Sequence, residues 1–247
     1  MIPISLDITT VILYFLMCLT GDFKRVILTF IIIIIHETGH LIFLKTFKVL
    51  VTKLIIYPFG GLIKTDKLIN FSPVKELLIS IGGIINQLIL YIFFFNLYKY
   101  NLINTYTYNL FLSINTSLIL FNIIPIYPLD GYIILNSIFN ITIPYLKSNI
   151  ISLIISIITL IIFILYSYNY KINSIFVISF LLYKLYNYLK DYKYIYNKFI
   201  LERSMYDIPY NKIIYLNTYS PYYLKLNKYY YFNYRSEKDI INSIYNY

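Results

Sequence analysis

The sequence predicts an all-α polytopic membrane protein with six transmembrane helices, a short β-hairpin-like membrane-associated loop and a small cytosolic tail. Three observations carry that expectation. Of the 247 residues, 59% are hydrophobic and only 13% are charged, whereas soluble domains carry roughly 25% charged residues. Several apolar runs reach the roughly 20 residues that a helix needs to cross a hydrocarbon core. Charge and turn residues return in strength only from Lys190 onward. The chain therefore divides into a membrane domain over 1–189 and a basic, Tyr-rich tail over 190–247.

The six apolar segments fall at 4–19, 26–44, 77–97, 106–124, 150–166 and 174–189. Asp7, Thr9 and Thr10 dilute the first, which reads as a span or a shallow membrane element. It has neither a basic leader nor a small-residue cleavage site, so no cleavable signal peptide is expected. Between the second and third segments, over 49–73, two β-prone runs flank Pro58-Phe59-Gly60-Gly61. That pattern predicts a hairpin. It serves either as a connector or as an exposed strand edge on which an extended substrate pairs. A short apolar stretch after Gly131 reads as a further partial helix.

The formal charge of +10 gains meaning from its distribution. With a cytosolic N-terminus, the inside loops hold Lys45, Lys48, Lys53, Lys64, Lys67, Lys75 and Lys147, and the basic tail joins them. The outside loops hold only Lys24, Arg25, Lys99 and Lys171. This asymmetry places both termini in the cytosol and makes anionic membrane lipid, not nucleic acid, the partner of the positive charge. The 31 tyrosines and the absence of tryptophan follow codon bias toward A and T and do not signal a base-stacking platform. Cys18 is the sole cysteine, so no intrachain disulfide can form.

His36-Glu37-Thr38-Gly39-His40 is the segment that carries chemistry. Helical residues four apart share a face, so both imidazoles can reach one ion. Glu37 stands beside the first of them, where a carboxylate can take a proton from an attacking water. The chain has only two histidines, and both lie here, which makes a chance match untenable. The run from Val26 to Ile35 is apolar except for Thr29. His36 therefore lies about 16 Å from the Arg25 end at 1.5 Å per residue, near the middle of a core about 30 Å thick. Ionisable groups at that depth are costly and mark function.

A hydrolytic zinc site takes three protein ligands and keeps one position for water. Asp130 is the candidate third ligand. It ends Asn122-Ile-Ile-Pro125-Ile-Tyr-Pro128-Leu-Asp130-Gly131, where two prolines interrupt any helix; irregular backbone at membrane depth suits a covered polar site. The competing role for Asp130 is a helix cap. Asn122 is either an amide donor to a developing oxyanion or a structural amide. Ser80, Gly82, Gly83 and Asn86 form a small, polar stripe suited to close helix packing, and Glu76 supplies a negative charge at a helix start.

These residues resemble the site-2 protease family of intramembrane zinc metalloproteases. The match comprises His36-Glu37-x-x-His40, the segment from Asn122 to Gly131, Pro58-Phe59-Gly60-Gly61, and Phe199-Ile-Leu-Glu202-Arg203. Within the family the sporulation members are the most similar. The resemblance implies six spans and Zn2+ held by His36, His40 and Asp130. Glu37 would be the catalytic base and Asn122 a substrate-site amide. It further implies a membrane-associated protein substrate, the precursor of the sporulation sigma factor sigma-K, regulation by membrane partners, and residence in the cell membrane, in sporulating cells the outer forespore membrane. Alternative readings are a site-2 protease releasing another membrane-tethered regulator such as an anti-sigma factor, or a non-catalytic zinc-binding membrane protein. Two departures stand out. Ile84 follows Gly82-Gly83 where relatives commonly carry proline, and the tail is too short for the paired nucleotide-sensing module of many relatives.

Overall fold

A computed structural model describes residues 3–19, 21–57, 60–167, 173–206, 208, 210 and 212–245. Pro58 and Phe59 of the expected turn, and Lys171 of the expected outer loop, lie outside the described residues. The described chain is mostly helical, with two small sheets, and groups into two compact units. One comprises Met1–Lys67 and Leu78–Ile123; the other comprises Leu68–Leu77 and Ile124–Tyr247.

The first unit opens with strand β1 (Ile4–Leu6) and helix α1 (Ile8–Leu19). The apolar segment read over 4–19 is thus part strand and part helix, and Asp7 explains the break. Its carboxylate accepts the Thr9 backbone N–H at 3.1 Å, meeting one of the donors a first helical turn leaves open. At 12 residues, α1 is about 18 Å long, short of a membrane core. Helix α2 (Phe23–Thr46) follows, then strands β2 (Val51–Tyr57) and β3 (Gly60–Thr65). The expected hairpin is present: β2 and β3 pair antiparallel, with Tyr57 opposite Gly60, and β1 adds in parallel on the far side of β2. The Thr10 hydroxyl donates to the Ile56 carbonyl at 2.8 Å, fastening α1 to that sheet.

Helix α3 (Pro73–Lys99) begins among residues of the second unit and continues through the first. Helix α4 (Thr105–Ile123) completes the first unit. Leu28 and Ile32 of α2, Leu90 and Phe94 of α3, and Phe111 of α4 form one buried cluster, with the Phe94 and Phe111 rings stacked face to face. Ile33, Leu54 and Ile56 pack α2 onto the sheet.

The second unit contains α5 (Asp130–Thr142), α6 (Tyr145–Ser167) and α7 (Asn173–Met205). Beyond them lie β4 (Lys212–Leu216), a 3-10 turn at Pro221–Tyr223, β5 (Lys228–Phe232), β6 (Arg235–Ser236) and α8 (Glu237–Tyr245). Strand β5 pairs in parallel with β4 and antiparallel with β6. The stretch after Gly131 is a full helix of 13 residues. Prolines 125 and 128 hold its approach irregular: the Tyr127 N–H donates to the Ser156 hydroxyl at 2.9 Å, and the Thr159 hydroxyl to the Pro125 carbonyl at 3.2 Å. Among the described residues, α2, α3 and α6 are long and apolar enough to cross a membrane. Helix α7 has the length, but Lys184, Lys190, Asp191 and Lys193 charge its middle, and it runs unbroken through the tail transition read at Lys190.

The tail shares a core with α6. Phe199 and Ile200 pack with Tyr145 and Leu146 of α6 and with Leu224, Tyr230, Phe232 and Ile241. In its centre the Arg203 side chain is fully buried and pairs with the equally buried Glu237, Nη2 to Oε1 at 2.9 Å. Arg203 Nη1 also donates to Asn70 Oδ1 at 3.1 Å, while the Asn70 N–H donates to Glu202 Oε2 at 3.0 Å. Burial pushes the Glu237 carboxyl upward, and the Arg203 guanidinium pulls it back toward the ionised form. Removing one partner of a buried ion pair strands the other charge, at a cost of roughly 3–5 kcal/mol. Glu237→Ala is therefore expected to open the tail. Limited proteolysis of the purified chain should cut it within the 212–245 region under conditions that leave the native chain intact.

Candidate metal centre

Helix α2 brings His36, Glu37 and His40 to one buried place. The repeat of 3.6 residues per turn stacks the two imidazoles on a single face, with their Nε2 atoms 3.0 Å apart. Two nitrogens bound at 2.0–2.1 Å to one tetrahedral ion stand about 3.4 Å apart, so the pair is close to ligating geometry. Donor atoms of His36, Glu37 and His40 all lie within 4.8 Å of one another. The outer nitrogens face acceptors: His40 Nδ1 donates to the Ile79 carbonyl at 2.7 Å, and His36 Nδ1 lies 2.9 Å from Gln87 Oε1. Acceptors on the far nitrogens orient the rings and turn both Nε2 atoms toward the place where one ion could be held. The donor set fits zinc on both counts.

Glu37 is held from a different element. Its Oε1 accepts the backbone N–H of Gly61, on β3, at 2.7 Å. A Cβ on Gly61 would stand 2.4 Å from the Glu37 carboxyl carbon, so only glycine lets the strand approach the carboxylate this closely. The hairpin thus acts on the chemistry through its backbone.

Two helices meet at glycine as well. A Cβ on Gly39 would lie 2.2 Å from the Gly82 carbonyl oxygen, so α2 and α3 touch backbone to backbone there. One residue on, a Cβ at Gly83 would fall 2.5 Å from His36 Cε1, 2.6 Å from His40 Nε2 and 2.7 Å from His36 Nε2. Asn86 fastens the same crossing by donating to the Ile35 carbonyl at 3.0 Å and the Thr38 hydroxyl at 3.2 Å. The small, polar stripe read from the sequence is indeed a packing stripe, and Gly83 also faces the imidazoles. Helix α3 continues through Ile84 without a proline.

Asn122 is buried near the end of α4, in the same unit as the histidines. Asp130 is the first residue of α5 in the second unit, after an N-cap at Leu129. It therefore sits inside the first turn and not at the capping position.

A family model described as peptidase family M50 matches residues 25–103, a stretch that contains His36, Glu37, His40 and the Gly61, Ile79, Gly83 and Gln87 groups around them but neither Asn122 nor Asp130. The solved site-2 protease from Methanocaldococcus jannaschii superposes with a TM-score of 0.59 at 30% identity, covering 75% of this chain and 90% of that one. The chain belongs to peptidase family M50. Two curated M50-like relatives are also similar. Stage IV sporulation protein FB of Bacillus subtilis is 27% identical over 188 residues, 75% of this chain and 65% of that protein. Zinc metalloprotease MJ0392 of M. jannaschii is 33% identical over 161 residues, 60% of this chain and 45% of that protein. The chain thus spans less than two thirds of either curated relative's length.

Sequence reading of this M50 chain missed Gln87, the Ile79 carbonyl and the Gly61 amide. A polar residue inside an apolar span was the available signal for Gln87; the two backbone groups leave none. Gly83→Ala is expected to displace the imidazoles. Zinc content of the purified variant should fall well below one ion per chain, measured by elemental analysis, while Gly60→Ala, where a Cβ meets open space, should leave zinc content unchanged.

Proposed function

We propose that this chain is an intramembrane zinc metalloprotease that hydrolyses a peptide bond of a membrane-associated regulatory protein. The observation that carries the reading is the convergence of His36, Glu37 and His40 on a membrane-length helix, with the carboxylate oriented by Gly61. A purely structural zinc site has no use for an oriented carboxylate beside its ligands. In this reading His36, His40 and Asp130 hold the ion, six spans surround it, and both termini face the cytosol.

Zinc, when bound, supplies a Lewis acid that lowers the pKa of water toward neutrality. The residues of the chain do the rest. Glu37 takes the proton of the attacking water and delivers it to the leaving amide nitrogen. The Asn122 amide donates to the oxyanion that develops on the carbonyl. A helical substrate hides its carbonyls in hydrogen bonds, so it must enter extended, and the edge of the β2–β3 hairpin offers backbone partners.

For the substrate, similarity to stage IV sporulation protein FB favours the sigma-K precursor, processed at the outer forespore membrane under the control of membrane partners. The test is co-expression of the full chain with sigma-factor precursors and resolution of the products by size. Native chain should shorten the precursor near its N-terminus. Glu37→Gln should retain zinc yet cleave at least about a hundredfold more slowly; equal cleavage by that variant would remove Glu37 from the mechanism. Asp130→Ala should lose zinc as well as activity, and full zinc retention would exclude it as a ligand.

A further inference from the structure

Gln87 on α3 and Asn115 on α4 are both fully buried, and they stand in line with His36. The line has a direction. The backbone carbonyl of Gln87 can only accept, and it receives Asn115 Nδ2 at 3.1 Å. That identifies the nitrogen end of the Asn115 amide, so its Oδ1 faces the Gln87 side chain, which answers with Nε2 at 3.3 Å. Gln87 Oε1 is thereby turned toward His36 Nδ1, 2.9 Å away. An amide oxygen cannot donate, so it is His36 Nδ1 that presents an N–H to Gln87.

We propose that Asn115 and Gln87 form a positioning relay that locks His36 in its metal-ready tautomer and sets how tightly the site takes zinc; this rests on the zinc reading given above. His40 reaches the same tautomer by a different route, because its Nδ1 donates to the Ile79 backbone carbonyl. The two Nε2 atoms come to one place, 3.0 Å apart, where a single ion could take both. The two ligands are therefore held unequally. His40 depends on backbone that no side-chain substitution removes, whereas His36 depends on two side chains from two other helices.

A merely structural role would have the two amides tie α3 to α4 with no bearing on the metal. The roles separate experimentally. The full chain, purified in detergent, is titrated with zinc against a chromophoric chelator, and its melting temperature is measured in excess chelator. Loss of a ligand's outer partner typically weakens metal binding about 10–100-fold. Gln87→Leu should show that loss, and Gln87→Glu, which keeps an acceptor toward His36, should stay within about threefold of native. Asn115→Leu, which lets the Gln87 amide rotate, should weaken zinc by a smaller factor and add nothing on top of Gln87→Leu, as expected for residues acting in series.

The relay is overturned if Gln87→Leu binds zinc as tightly as the native chain, or if Gln87→Glu falls as far as Gln87→Leu. Should Gln87→Leu fail to fold, Gln87→Glu and Asn115→Leu decide the matter: retained affinity in the first with reduced affinity in the second supports the relay, and any other pattern contradicts it. A native chain that takes up no zinc overturns the metal site and the relay together, while native affinity in every variant overturns the relay alone.

Discussion

Contact between α2 and α3 at glycine is the constraint on which the metal centre depends. Gly39 and Gly82 let two membrane helices approach until backbone meets backbone, and Gly83 then faces both imidazoles with no side chain between. Only at that separation can the Ile79 carbonyl reach His40 and the Gln87 amide reach His36. Gly61 repeats the device on the hairpin side, bringing an N–H against Glu37. Inside lipid every such polar group must find a protein partner, so the site is assembled from neighbouring backbone and amides instead of solvent. Close packing and polar satisfaction are here one requirement.

Short-range features were legible in the sequence. The 36–40 motif declares itself because ligand spacing and helical repeat coincide within five residues, and the hairpin because β-prone runs flank glycine. The first apolar segment was legible only in part, since hydropathy alone cannot see that a strand ends before Asp7 and a helix starts after it. Gln87 and Asn115 could be noticed as polar residues in apolar helices, but their partnership with His36 spans three helices and leaves no local pattern. The tail was obscured for another reason. Tyrosine and lysine fill it, so the alternation that would mark β4 and β5 is blurred, and the Arg203–Glu237 pair joins residues 34 apart.

Buried charge is treated alike in the two units. In each, ionisable groups excluded from water are surrounded by partners of fixed direction. Arg203 gathers Glu237, Asn70 and backbone carbonyls within the second unit, and the histidines gather a carbonyl and an amide within the first. The difference lies in what each set of groups faces. Arg203 and Glu237 neutralise one another, whereas the two imidazoles bring their Nε2 atoms to one place, 3.0 Å apart. Such a site calls for a cation, and the oriented carboxylate beside it calls for a proton to move.

X-ray absorption at the zinc edge of the purified full chain tests that claim most directly. The account predicts one zinc per chain with a first shell of nitrogen and oxygen at about 2.0–2.1 Å and the outer-shell scattering of two imidazole rings. A chain that holds no zinc after metal loading, or zinc whose spectrum lacks imidazole scattering, would contradict it.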